Sequence, residues 1–217
     1  MITRYGYDVF FTIATVCTVL VIVAAIFIEP KLPRYCVIIL SATFFGLTVN
    51  FFRDPDRTTP SGESHIIAPA DGKIVAVRQI DENEYLHSRA TQISIFMSPL
   101  NVHVNRNPIS GTVQHVRYVP GEYFAAYEDK ASEKNEQMVV GLENAHGKVL
   151  FKQIAGFLAR RIVCSLKVGE RVTAGERFGM IKFGSRVDVF VEEGSEVRVR
   201  VGDISVAGET ILADFRK

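Results

Sequence analysis

Apolar residues crowd the first quarter of the chain and alternate with polar ones over much of the rest. Val9 to Ile28 is 20 residues without a charge, and Tyr35 to Phe52 is 18 more. Each run is long enough to cross roughly 30 Å of hydrocarbon as a helix. Between them, Glu29-Pro-Lys-Leu-Pro-Arg34 carries two prolines and three charges, which predicts a tight polar turn. The pattern predicts a helical hairpin with both ends on one side of a membrane; a shallow hairpin lying in one leaflet fits it too. No small-residue cleavage site follows Ile28 and the first run is long for a signal peptide, so the segment is expected to stay attached. Arg4, Arg53 and Arg57 flank the outer ends while Lys31 and Arg34 sit in the turn, so basic residues hardly orient it.

From residue 64 the texture changes. Ile66–Ala68, Lys73–Arg78, Gln92–Met97, Gly111–Val119, Met138–Leu142, Lys148–Ile154 and Val187–Val191 are short, β-branched and partly alternating, which predicts strands. Asp71-Gly72, Pro120-Gly121, His146-Gly147 and Gly194-Ser195 punctuate them as turns. Ala155–Val163 fits a short helix or a further strand. Asp54 to Glu63 is a linker, so the expected domains are a membrane hairpin over 1–54 and a β-rich (α+β) domain over 55–217. Gly121–Gln137 lacks a strand pattern, and loops of that length are often functional. Its Tyr123, Phe124 and Tyr127 either face lipid or pack down. Glycines 169, 175 and 179 in Val-Gly-Glu-Arg-Val-Thr-Ala-Gly-Glu-Arg-Phe-Gly resemble the hairpin turns of biotinyl/lipoyl-like barrel-sandwich hybrids, where glycine permits positive φ. Pro69-Ala-Asp-Gly-Lys-Ile-Val resembles the start of such a sandwich.

Charge placement narrows the class. Of 25 Lys/Arg and 24 Asp/Glu, residues 1–54 hold four and three, which leaves the β-rich part net neutral. Without a basic excess, a nucleic-acid partner is not expected. Three cysteines, an odd number, do not make a disulfide scaffold; small buried thiols suit a domain facing the cytosol. The five histidines show no metal-ligand spacing. A glycine-serine pair at Gly184-Ser185 has no weight by itself, since Gly194-Ser195 is another.

Four ordered segments change that. Ala68-Pro-Ala-Asp-Gly-Lys73, Phe96-Met-Ser-Pro-Leu-Asn-Val-His-Val-Asn-Arg106, Gln153-Ile-Ala-Gly-Phe-Leu-Ala-Arg-Arg161 and Phe178-Gly-Met-Ile-Lys-Phe-Gly-Ser-Arg-Val-Asp188 together resemble the phosphatidylserine decarboxylases, in their short membrane-anchored prokaryotic form. The resemblance implies a proenzyme that cuts itself between Gly184 and Ser185. Ser185 Oγ would attack the Gly184 carbonyl, and elimination would leave a pyruvoyl group on a small α chain, 185–217, paired with a β chain, 1–184. That ketone would condense with the amine of phosphatidylserine and take up the electron pair left by CO₂, the role pyridoxal phosphate plays elsewhere. No pyridoxal phosphate and no metal are implied.

The resemblance also implies residue roles. Asp71 matches the aspartate of the self-cleavage triad, although Asp-Gly is otherwise a common turn. His103 matches a histidine that handles protons during decarboxylation. The longer relatives carry a second histidine three residues on, where this chain has Arg106, and arginine is no base at neutral pH. Either His103 serves both steps or another histidine, such as His115, reaches Ser185. Arg106, Arg160 and Arg161 are candidates for the substrate phosphate or carboxylate; the Arg160-Arg161 pair also fits a solvated surface. The expected place is the inner membrane with the β-rich domain in the cytoplasm. Lipid tail and further association of the heterodimer stay open. A carrier-type adaptor of the lipoyl class is the rival, and it would need a lysine such as Lys182 at an exposed hairpin tip.

Overall fold

The computed structural model describes residues 1–122, 124, 134–156, 161–182 and 185–216. The chain forms two compact units, Met1–Pro55 and Asp56–Lys217.

The first unit is a helical hairpin. After a 3-10 turn at Arg4–Gly6 come α1 (Tyr7–Phe27) and α2 (Lys31–Phe51). Each spans about 30 Å at 1.5 Å per residue. The prolines stop one helix and start the next: Pro30 caps α2 and Pro33 sits in its first turn, where a missing N–H costs nothing. Arg34 reaches back to the end of α1, donating Nε to the Ile28 carbonyl at 2.7 Å and Nη2 to Glu29 O at 3.2 Å. Those carbonyls would otherwise lack partners. Along the helices Thr12, Thr18 and Thr48 donate their hydroxyls to carbonyls four residues earlier, the satisfaction an apolar surrounding demands. Phe11, Ile26, Phe27, Leu32, Ile39 and Leu40 are exposed. Both helices are long and apolar enough to cross a membrane.

The second unit is strand-rich, as the alternation predicts. A curled eight-stranded antiparallel sheet runs β13-β2-β3-β11-β7-β6-β5-β9. Its members are β2 (Gly72–Glu82), β3 (Ser88–Met97), β5 (Gly111–Val119), β6 (Gln137–Asn144), β7 (Gly147–Ala155), β9 (Arg171–Val172), β11 (Ser185–Glu192) and β13 (Ile204–Ser205). Two three-stranded sheets complete it. One is β1 (His65–Ile67), β14 (Ile211–Asp214) and β12 (Glu196–Val197); the other is β4 (Val104–Arg106), β10 (Arg177–Lys182) and β8 (Arg161–Cys164). Ile93, Ile95, Val187, Val189, Val149 and Phe151 alternate inward from β3, β11 and β7 to form the main core. The opposite face carries a smaller cluster around Leu86, Leu150 and Phe190.

Several strands escaped the sequence pattern. β4, β10 and β12–β14 are short and carry mixed residues, so tertiary pairing rather than alternation defines them. β2 runs beyond Arg78 because the Glu82 carboxylate gathers the Glu84, Tyr85 and Leu86 N–H groups at 2.7, 2.9 and 2.6 Å, closing the hairpin to β3. Of the open segment at 155–163, the part from Arg161 is strand and 157–160 lie outside the described residues. Tyr123 and Tyr127 lie outside them too. The barrel-sandwich-like glycines divide: Gly175 has the expected positive φ, 77°, whereas a Cβ at Gly179 would lie 2.1 Å from the Val163 carbonyl oxygen. There the glycine is required by close strand approach instead.

Candidate active site

Ser185 is the first residue of β11, the strand at the centre of the large sheet. It faces Met97 of β3 on one side and Ala155 of β7 on the other. The side chain is fully buried, and its hydroxyl points to the Met97 sulfur at 3.2 Å. Gly184, the other half of the expected cleavage site, lies outside the described residues.

Behind Met97 stands a relay of two amides. Asn105 Nδ2 is 3.9 Å from the same sulfur and donates to the Pro69 carbonyl at 3.3 Å. Asn105 Oδ1 accepts from Gln153 Nε2 at 2.8 Å. Both side chains are fully buried, and Gln153 Oε1 has no hydrogen-bond partner among the described residues. Neither residue was foreseen. The available signal was a polar residue inside the apolar runs Val-His-Val-Asn and Val-Leu-Phe-Lys-Gln-Ile, which alone says only that the strand has a polar side.

His103 is buried just before β4, and its carbonyl accepts from Ile181 N, so it lies beside the strand that leads to Ser185. Its Nδ1 sits 3.0 Å from the Asn101 carbonyl. A carbonyl can only accept, so in the neutral ring Nδ1 carries the hydrogen and Nε2 is the basic nitrogen.

The other expected residues go elsewhere. Asp71, at the entry to β2, pairs with Arg57 at 2.9 Å and accepts from Ala207 N at 2.8 Å. β3 stands between β2 and β11, a separation of about 10 Å at ordinary strand spacing. Arg106 points to the other side of β4 from Asn105, where its Nη1 donates to the Gly175 carbonyl at 2.9 Å. Arg161 is exposed at the start of β8 opposite Lys182; Arg160 lies outside the described residues. Lys182 is only 4% exposed and sits within β10, so it offers no attachment tip of the carrier kind.

His115 is on the far face. It stacks on Tyr85 and its Nε2 lies 3.1 Å from Glu84. Register carries it through Gly141 and Leu150 to Phe190, five residues along β11 from Ser185, or about 17 Å. Burial alone would raise the Glu84 carboxyl, but hydrogen bonds from Arg117 and His115 and the Lys152 ammonium outweigh it and hold it below the usual range. Burial pushes the Cys164 thiol up, which keeps it protonated and unreactive.

The chain matches the phosphatidylserine decarboxylase family over residues 44–213. It is 45% identical to a phosphatidylserine decarboxylase proenzyme of Chlorobium phaeobacteroides over 99% of this chain and 100% of that one. A proenzyme of the same description from Chlorobium limicola is 46% identical with the same coverage. One from Prosthecochloris aestuarii is 44% identical over 98% of this chain and 97% of its own length.

The chain belongs to the phosphatidylserine decarboxylase family.

Membership makes it an enzyme and gives the buried serine of β11 a context. Within this decarboxylase fold, Ser185 and Asn105 meet at the Met97 sulfur and Gln153 bonds Asn105, while His103 lies beside β10, the strand that leads to Ser185.

Proposed function

We propose that the chain is a proenzyme that cuts itself between Gly184 and Ser185 and then converts phosphatidylserine to phosphatidylethanolamine and CO₂. The observation that carries this reading is the placement of Ser185. It begins a strand paired on both sides, so the cut product would stay in the sheet with its new end fixed. The hydroxyl rests on a thioether, a weak acceptor, and little is lost when it turns to attack.

In the cut, a base takes the Ser185 hydroxyl proton as Oγ bonds to the Gly184 carbonyl carbon. The Gly184–Ser185 C–N bond breaks, which leaves an ester on Oγ and a free amine on Ser185. Loss of the Ser185 α-proton then expels the Gly184 carboxylate, and water replaces the nitrogen with oxygen, releasing ammonia. A serine hydroxyl needs such a base near neutral pH; we assign that role to His103 Nε2, because His115 is held on the opposite face.

The residues around Ser185 fit the pyruvoyl group it would become: the side chain is fully buried against Met97 and Ala155, with the Asn105–Gln153 relay beside it. The group supplies an electron sink for the carbon–carbon bond that breaks when CO₂ leaves. We assign the return of the proton to His103 as well. Arg161, exposed at the strand edge, is the better partner for the headgroup phosphate than Arg106, which is buried against Gly175. The hairpin would anchor the enzyme in the inner membrane with the β-rich domain in the cytoplasm, and neither pyridoxal phosphate nor a metal would be needed. The product would be a heterodimer of 1–184 and 185–217.

Intact-mass measurement of the purified chain tests this. Two chains, with the small one beginning at residue 185 and blocked by a ketone, are expected; Ser185→Ala should give one chain and no decarboxylation. A single unmodified chain that decarboxylates phosphatidylserine would overturn it. Protease digestion of the β-rich domain from outside intact cells would overturn the orientation alone.

A further inference from the structure

β11 is buried on both faces. Beyond Ser185 its inward residues Val187, Val189 and Val191 are apolar, but its outward face opens with Arg186 and Asp188. Arg186 is 1% exposed, and Asp188 and Ser94 are at 0%. Arg186 Nε donates to Asp188 Oδ1 at 2.6 Å, and Nη2 donates to Ser94 Oγ at 2.7 Å. Gln92 Nε2 donates to the other Asp188 oxygen at 2.8 Å, and Arg78 Nε donates to Gln92 Oε1 at 2.9 Å. The cluster ties β2, β3 and β11 together from the side opposite the core.

A buried ion pair is a poor device for stability alone, because its desolvation offsets its attraction and apolar replacements often serve as well. What distinguishes this one is its position. Arg186 follows the residue at which the chain is proposed to break. Before the cut, Ser185 is held from both directions along the chain. Afterwards it is a chain end in the middle of a sheet, and chain ends fray. A bidentate-capable guanidinium, fixed by one partner on its own strand and another on β3, resists that fraying in a way an apolar side chain cannot, because its hydrogen bonds have direction.

We propose that Arg186, with Asp188 and Ser94, is a positioning clamp that keeps the cut end of β11 in register, so that the group formed from Ser185 stays where substrate meets it. The inference rests on cleavage at Gly184–Ser185. It predicts that the clamp matters more after the cut than before.

The test compares cut and uncut forms of the full chain. Arg186→Met with Asp188→Leu removes both charges together, and Ser94→Ala removes the Nη2 acceptor, together with the longer 3.2 Å bond from Gln92 Nε2. Each is made with Ser185 intact and, as the uncut reference, with Ser185→Ala. Hydrogen–deuterium exchange over 186–190 should match wild type in the uncut variants and speed up in the cut ones. In the cut variants kcat for phosphatidylserine should fall on the order of 10²-fold, the scale of an ångström of misplacement, with KM nearly unchanged. Wild-type exchange and kcat in the cut variants would overturn the clamp. Equal loss of protection in the uncut forms would also overturn it, since that marks plain stability. If the paired variant does not fold, Ser94→Ala is judged by the same two readouts. Failure of the underlying reading is separate: wild type would then be uncut, or cut at another bond.

Discussion

The hydroxyl of Ser185 lies 3.2 Å from the sulfur of Met97, its cross-strand neighbour. Sulfur accepts hydrogen bonds weakly, so this contact shields the hydroxyl without holding it. Met97→Leu keeps the volume and should cost less than about 1.5 kcal/mol of stability. Cleavage of this variant, followed by gel and intact mass, is expected to run to completion. A folded Met97→Leu chain that stays uncut would show that the sulfur orients the attack.

His103 and His115 should separate cleanly. His103→Ala is expected to lose decarboxylation by about 10²–10⁴-fold, the usual worth of a general acid–base group, and to slow cleavage as well. His115→Ala should leave cleavage and turnover unchanged, because its imidazole is committed to Glu84 and Tyr85 on the other face. Its part-exposed pair with Glu84 should be worth no more than about 1 kcal/mol in unfolding experiments. Blocked cleavage in His115→Ala would return that residue to the mechanism.

Gln153 ends the amide relay with an acceptor oxygen that finds no donor among the described residues. An unmet buried acceptor costs about 1–3 kcal/mol; Gln153→Leu removes this one but leaves Asn105 Oδ1 without its donor, so the two roughly offset and the variant should fold with near-wild-type stability. Its maturation or its turnover is nonetheless expected to fall. Wild-type rates for both steps, measured on the same preparation as the melting curve, would show that the relay serves packing only.

Asp214 ties the two expected chains together. Its strand β14 pairs with β1, and its carboxylate takes His65 Nδ1 at 2.5 Å and Arg198 Nε. Burial alone would raise its pKa, but these two partners outweigh it and hold it below the usual value. A depressed folded-state pKa stabilises above the unfolded value, near pH 4, and that stability is lost as pH falls through the folded value. Asp214→Asn should therefore lose on the order of 1–3 kcal/mol at neutral pH. The gap to wild type should close as the medium is acidified below about pH 4. Denaturant melts at neutral and acid pH check this; an equal gap at both would remove Asp214 from the acid limb.

The two apolar helices and most long strands were legible along the chain because their signals are local. Twenty uncharged residues need no partner to declare a helix, and Gly111–Val119 is rich in β-branched and aromatic residues and is bounded by Gly111 and by Pro120-Gly121, which declares both of its ends. β4 and β10 declared nothing, since strands of three and six residues acquire their role from what lies beside them. The segments that carry the family resemblance named Ser185, His103 and Asp71, but a motif records order along the chain and not direction in space.

Sequence alone thus determined the hairpin, the strand-rich domain and the serine at stake. Only the tertiary structure decided that serine's neighbours. Asn105 and Gln153 are 48 positions apart and meet through one hydrogen bond, while Arg106, a single residue beyond Asn105, turns away to Gly175. The physical reason is the two-residue period of a strand. A shift of one position reverses the face, and the face presented to Ser185 is set by pairing register among distant strands, a quantity absent from any local stretch of sequence.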